Sequence, residues 1–154
     1  VSYTIQQATP DDLPFMRACL EAFGRGFDDL ETYTSNQPDD AYLARLLSGG
    51  SFVALGAVED GQVIGAIAAY ELQKFEQARS ELYIYDLAVD ENHRRRGIAT
   101  ELIEALRTIA LQRGAHAMFV QADTGEEDAA AIALYRTLGA EQKVLHFDIA
   151  VDPR

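Results

Sequence analysis

Asp86-Leu87-Ala88-Val89-Asp90-Glu91-Asn92-His93-Arg94-Arg95-Arg96-Gly97-Ile98-Ala99-Thr100 is the stretch on which the reading of the fold turns. An apolar strand, Glu81–Val89 (ELYIYDLAV), ends inside it, a short basic loop follows, and Gly97 with small residues opens an amphipathic helix. The first amides of a helix have no intrahelical acceptor and carry partial positive charge, so such a corner is suited to an anion. Gly97 removes the side chain where a ligand must approach the backbone, and Ala99 keeps the next turn thin. Arg94, Arg95 and Arg96 add cationic reach toward phosphate oxygens. A pyrophosphate is the ligand these features suggest; an ordinary strand–loop–helix without ligand is the plain alternative. The corner is not a Walker loop, because no Gly-Lys-Ser/Thr follows. It is not a dinucleotide fingerprint either, because Gly97 stands alone where three glycines are needed.

Working outward, Ile98–Arg113 carries an apolar stripe of Leu102, Leu106, Ile109 and Ala110, with Glu101, Glu104, Arg107 and Gln112 outside it and Gly114 at its end. Beyond it, Ala117–Ala122 (AMFVQA) reads as a buried strand, Asp128–Leu138 as a helix ended by Gly139, and Gln142–Ile149 as a final strand. On the N-terminal side, Phe52–Val58 and Val63–Leu72 flank Glu59-Asp60-Gly61, a hairpin signature. Ser2–Ala8 alternates as a strand does, and Thr9-Pro10-Asp11-Asp12 announces a helix in which Met16, Leu20 and Phe23 recur at helical spacing. Gly24-Arg25-Gly26 is expected to break that helix, Asp28–Pro38 is polar and irregular, and Asp39–Leu47 forms a second short helix before Gly49-Gly50. The order βααβββαβαβ, with four helices and no repeat or linker, predicts one α/β domain over residues 1–154 built on a mixed sheet.

Composition narrows the function. The 154 residues are 48% apolar and 25% charged, as in ordinary globular chains. Thirteen basic against twenty-five acidic residues give a net charge of −12, which repels nucleic acid and anionic membranes and attracts cations. No apolar run has the length of a membrane span and no signal segment opens the chain, so a cytoplasmic location is expected. Cys19 is the one cysteine, and His93, His116 and His146 have no metal spacing, so neither a metal site nor covalent catalysis is expected.

The pattern Arg-x-x-Gly-x-Ala at Arg94, Gly97 and Ala99, the Leu87-Ala88-Val89 strand before it, the element order and the Ala133-Leu134-Tyr135-Arg136-Thr137-Leu138-Gly139 helix end together resemble the GNAT superfamily of N-acetyltransferases. Within it, Lys74–Glu81, Tyr83–Asp86, Phe23–Arg25, Gln121–Asp123 and His146–Asp148 are similar to the type I aminoglycoside 3-N-acetyltransferases, whereas Thr124–Ala131 is longer and lacks a proline at the helix entry. The resemblance implies an α+β fold: a mostly antiparallel sheet with a splayed parallel pair, flanked by about four helices. It implies acetyl-CoA as co-substrate, with Leu87, Ala88 and Val89 binding the pantetheine arm and Arg94, Arg95, Arg96, Gly97, Ile98, Ala99 and Thr100 the pyrophosphate. It further implies a small cationic amine as acceptor, an aminoglycoside taken at its 3-amino group, and a possible homodimer. A polyamine or protein amine is the alternative acceptor, and an idle acyl-CoA-binding module the alternative from another class.

Aminolysis of a thioester needs a neutral amine, and alkylammonium groups are protonated near neutral pH, so a group must take that proton. Asp86 is the residue expected to do so. By simple alternation it shares a face with Leu82, Ile84 and Ala88, opposite Tyr83, Tyr85 and Leu87, where an unpartnered carboxylate is costly. A structural salt bridge or hydrogen-bonded anchor is the competing reading. On the resemblance alone, Tyr135 donates a proton to the departing thiolate and a strand-edge amide near Ala88 stabilises the oxyanion. Asp123, Glu126, Glu127 and Asp128, with Asp28, Asp29 and Glu31 in the early loop, are candidates for an acidic acceptor wall; Glu76 and Glu81 read as surface charge.

Overall fold

The computed structural model of the chain describes residues 2–152. Asp60 and Gly61 both take positive φ (52° and 76°), the conformation of a two-residue hairpin turn. Around that turn β2 (Phe52–Glu59) and β3 (Gln62–Gln73) pair antiparallel, as the Glu-Asp-Gly signature predicts. β1 (Thr4–Gln7) lies against β2, and β4 (Ser80–Val89) against β3, both antiparallel. β5 (Ala115–Val120) completes the order β1-β2-β3-β4-β5 as the parallel neighbour of β4. The mixed, mostly antiparallel sheet with one parallel pair is therefore present.

Pairing between β4 and β5 runs from Ser80 opposite Ala115 to Ile84 opposite Val120, whereas β4 itself continues to Val89. Its last five residues thus have one edge without β5. α1 (Leu13–Gly26) packs Phe15, Met16, Cys19 and Phe23 against Ala54, Ala66, Ala68 and Ala88, small residues that let a helix approach the sheet closely. α4 (Ile98–Gln112) buries Ile98, Leu102, Ile103, Leu106 and Ala110, and serves the opposite face, where Leu55, Ile67, Leu82 and Ile84 are buried. Among the described residues, no helix is long and apolar enough to cross a membrane.

The structure departs from the sequence reading at several places. α1 does not stop at Gly24; it runs through Gly26, because the two glycines serve close packing. A β-carbon on Gly26 would lie 2.6 Å from that of Ala88, and one on Gly24 would lie 3.0 Å from Leu30 Cα. The stretch read as irregular contains a fifth helix, α2 (Leu30–Thr34), started by Asp29, whose carboxylate accepts from the Thr32 amide at 3.3 Å. α3 (Asp40–Ser48), capped by Asp39, follows as expected. β5 starts two residues early and ends at Val120, which leaves Gln121 and Ala122 outside it.

Residues up to Gln121 form one compact unit and those from Ala122 a second. The second holds a 3-10 turn (Glu126–Asp128) and α5 (Ala129–Leu138). The expected strand over Gln142–Ile149 is not formed: residues 140–150 have no regular secondary structure. Alternation alone supplies two faces, but a strand exists only where its amides and carbonyls find a partner, and here Val144, Leu145, Phe147 and Ile149 remain 65–86% exposed.

Candidate active site

The loop from β4 to α4 is held from outside rather than by its own sequence. A 3-10 turn (Glu91–His93) leads to Arg95 and Gly97, both with left-handed φ (64° and 80°). Arg94 donates from Nε to the Val89 carbonyl and from Nη2 to the Gly26 carbonyl, each at 3.1 Å, which ties the loop to the end of α1. Arg96 reaches back to the hairpin, donating to Glu59 at 2.6 and 3.2 Å and to Ser2 Oγ at 2.8 Å, with its guanidinium over the Tyr3 ring. The Glu59 carboxyl, hydrogen-bonded by Arg96 and Ser2, is pulled down to about 2. Two of the three arginines expected to reach for phosphate are therefore already engaged with protein; Arg95 stays exposed.

Gly97 itself faces open space, since a β-carbon placed on it would meet nothing within 4 Å, and no side chain caps the start of α4. The amides of Ile98, Ala99 and Thr100 keep their donor capacity for a ligand, and the helix ladder starts with Glu101, whose amide donates to the Gly97 carbonyl at 3.0 Å. That geometry fits a diphosphate. On the neighbouring strand the Asp90 amide donates to the Ile64 carbonyl at 2.8 Å, toward β3. Backbone groups alternate along a strand, so the amides of Ala88 and Asp86 also point toward β3, and those of Leu87 and Val89 point to the edge that β5 leaves. The open-edge amide near Ala88 thus belongs to Leu87 or Val89, and of these only Leu87 also keeps a free carbonyl, because Arg94 occupies that of Val89.

Asp86 does not lie on the face that simple alternation assigns. Its register partner is Ala68, while that of Ile84 is Ala69, so Tyr85 is an extra residue in a β-bulge. Ala68 and Ala69 point to opposite faces, and Asp86 and Ile84 must do so too. The carboxylate therefore stands with Ala88 on the α1 face, and Leu82 and Ile84 lie on the other. There the Tyr33 hydroxyl donates to Asp86 Oδ2 at 2.9 Å. Desolvation pushes the Asp86 carboxyl above the usual carboxylate range, and the Tyr33 hydrogen bond works against that rise. Among the described residues no Lys, Arg or His pairs with Asp86, which removes the salt-bridge reading.

The remaining candidates divide between the units. Asp29 caps α2, Asp28 has left-handed φ (53°), and Glu31 is exposed. Asp123, Glu126, Glu127, Asp128 and Tyr135 belong to the second unit; there the Asp123 amide donates to Asp128 Oδ2 at 3.0 Å, and Glu126 and Glu127 are exposed. The Tyr135 hydroxyl titrates above its ordinary value, through desolvation and the nearby Asp128 charge. Cys19 is fully buried in the α1 core, and burial pushes its thiol up to about 12, so it is no nucleophile. Glu81 is held by Lys74 at 2.9 Å, as a surface charge would be.

A model of the Acetyltransferase (GNAT) family matches residues 16–140. The chain belongs to that family. Among solved structures, this GNAT chain is similar to the aminoglycoside acetyltransferase HMB0005 from an uncultured soil metagenomic sample, with 55% identity, 99% and 100% of the two chains covered, and a TM-score of 0.97. It is also similar to the aminoglycoside acetyltransferase meta-AAC0020 from an uncultured soil metagenomic sample, in complex with sisomicin, with 30% identity, 98% and 97% covered, and a TM-score of 0.87. Among curated proteins it is 31% identical, over 138 residues, to the catalytic subunit of the N-terminal acetyltransferase A complex of Arabidopsis thaliana, covering 88% of this chain and 65% of that protein. It is likewise 31% identical over 115 residues to N-acetyltransferase family 8 member 2 of Rattus norvegicus, covering 75% of this chain and 49% of that one. The GNAT chain thus spans about half to two thirds of the length of these curated relatives.

Sequence reasoning on this GNAT chain missed Tyr33, Glu59 and Arg25. Arg25 joins the last turn of α1 to Asp90 at 3.2 Å and to the Val63 carbonyl at 2.7 Å. All three act on partners far away in sequence, and the one local signal was Phe23-Gly24-Arg25 itself.

Proposed function

We propose that the chain transfers an acetyl group from acetyl-CoA to an amine of an aminoglycoside, at the 3-amino group of its deoxystreptamine ring. The observation that carries this reading is the continuity of one edge. β4 runs on past β5 to Val89, and its loop leads to an uncapped helix start at Gly97, with the Asp86 carboxylate beside that edge. Likeness to two aminoglycoside acetyltransferases over nearly the full chain supports the substrate class.

Acetyl-CoA supplies the activated acetyl thioester. The α4 amides and Gly97 receive its diphosphate, and the open edge at Leu87 and Val89 receives the pantetheine amides. Asp86, paired with no cation among the described residues, draws the acceptor ammonium through its carboxylate form and takes its proton directly or through water. The Leu87 amide donates to the negative charge that develops on the carbonyl oxygen. Tyr135, a phenol and so protonated at neutral pH, is the residue that the family resemblance assigns to return a proton to the departing sulfur. Asp29, Asp123, Glu126 and Glu127 add negative charge for a polycation.

Replacing Asp86 with Asn lowers turnover about a hundredfold or more, in the range of a lost general base, while the acetyl-CoA dissociation constant stays within about twofold. Unchanged turnover removes Asp86 from the mechanism. The substrate class is tested by acceptor-dependent thiol release with sisomicin, spermidine and a peptide amine in parallel, with the acetylated nitrogen located by NMR. The relation to the Arabidopsis protein favours a second reading, acetylation of a protein amine or another cationic amine. Preference for the peptide or for spermidine over sisomicin decides for it.

A further inference from the structure

We infer that Tyr33 is a positioning residue for the reaction: its hydroxyl holds Oδ2 of Asp86 and leaves Oδ1 to face the acceptor. This rests on the reading of Asp86 as proton acceptor. The two residues are 53 apart in sequence and meet because α2 carries the tyrosine onto the α1 face of the sheet, where the bulge at Tyr85 has turned the carboxylate.

The tyrosine is fixed in more ways than a surface residue of a five-residue helix requires. Its ring packs on Phe23 and on Phe27, with centroids 5.9 Å away in each case, and Phe23 and Phe27 stack on one another at 6.3 Å. Its carbonyl accepts from Gln37 Nε2 at 3.0 Å, Asp29 caps the helix that carries it, and Leu30 sits against Gly24. α2 buries none of its residues and is too short to persist by itself, so these contacts to α1 are what set the hydroxyl.

The nature of the partner matters as much as its place. A lysine or arginine beside Asp86 would neutralise the charge that has to attract a cationic amine. A phenol orients the carboxylate by one hydrogen bond and leaves its full negative charge. Among the described residues Oδ1 accepts no hydrogen bond. Among the described residues the ionisable groups that interact with the carboxylate are phenols: Tyr33 from α2, Tyr70 from β3 and Tyr83 from its own strand. Asp29 acts on Tyr33 from the head of α2, and α1 contributes the Phe23 and Phe27 rings. A carboxylate on an apolar strand face is costly without a donor, and Tyr33 is the donor it has.

The full chain carrying Tyr33→Phe keeps the ring packing and loses the one hydrogen bond. Two measurements read the consequence: kcat/KM for sisomicin against pH, and titration of the Asp86 carboxyl followed by carbon NMR. Loss of a donor to the anion raises its titration, so both the carboxyl titration and the acid limb of the rate move up by about one pH unit. In addition kcat falls about tenfold, and the acetyl-CoA dissociation constant measured by calorimetry is unchanged, which reports an intact fold. If both profiles superpose on those of the unaltered chain while Asp86→Asn is inactive, Tyr33 positions nothing and the role of Asp86 stands. If Asp86→Asn keeps full turnover, the reading of the base fails and the inference falls with it, even where the carboxyl titration still moves.

Discussion

At the scale of single residues, Gly97 combines two requirements that no other residue type meets together. Its φ of 80° lies in the left-handed region, and its missing side chain opens the space in front of the α4 amides. Replacement by Val costs about 1–2 kcal/mol of backbone strain and places two methyl groups where the diphosphate is proposed to sit. The acetyl-CoA dissociation constant is expected to rise at least tenfold by calorimetry, against a drop of a few degrees in Tm. Replacement by Ala keeps most of the strain and adds far less bulk, so it separates the two effects. An affinity that survives Gly97→Val places the cradle elsewhere. Arg95 sits two residues earlier with its own left-handed φ of 64°, and it is the arginine of the triplet whose guanidinium makes no hydrogen bond or ion pair among the described residues. Arg94 and Arg96 spend their guanidinium groups on holding the backbone in the shape that presents those amides.

Between elements, the clasp from the β2–β3 hairpin to the α4 loop is the joint most exposed to pH. The Glu59 carboxyl lies near 2 in the folded chain, against an ordinary value of 4.5, because Arg96 and Ser2 hydrogen-bond its charged form. A depressed folded value means stability that is fully present above about 4.5 and is lost as pH falls toward about 2. Glu59→Gln is therefore expected to unfold at lower urea concentration than the unaltered chain at neutral pH, and the gap between the two closes across that acidic window. A gap that is the same at both ends means that the clasp adds nothing through its charge. How far such joints were legible in the sequence depends on what writes them. Glu59-Asp60-Gly61 marked its hairpin because two successive positive φ angles demand those residue types. The bulge at Tyr85 leaves no trace in the sequence, since it requires no special residue, and so simple alternation places Asp86 on the wrong face. α2 was invisible because five residues are too few to show a period. Gly24 and Gly26 looked like breakers, although their purpose is contact with Leu30 and Ala88. Tyr33 could not be found at all from local pattern, because its meaning lies in a carboxylate 53 residues away.

Over the whole molecule, a net charge of −12 acts before any contact is made. A polycationic acceptor is drawn toward such a chain, and the anionic co-substrate is repelled everywhere except at the α4 amides and the few basic groups near them. The two substrates must then respond to salt differently. Raising ionic strength from about 0.01 M to about 0.1 M shortens the screening length from about 30 Å to about 10 Å, so attraction between the chain and a distant polycation largely disappears. For sisomicin, kcat/KM is expected to fall by about tenfold over that range, mainly through KM. For a monoamine acceptor the fall is smaller, because its single charge meets the same field with less leverage. For acetyl-CoA the constant stays level or rises, since screening removes a repulsion. This pattern is a property of summed charge and is insensitive to which acidic residue lines the acceptor wall, so it survives replacement of Glu126 or Glu127 singly. A sisomicin rate that ignores salt would assign capture to contacts at Asp86 alone and leave the acidic surface without a part in catalysis.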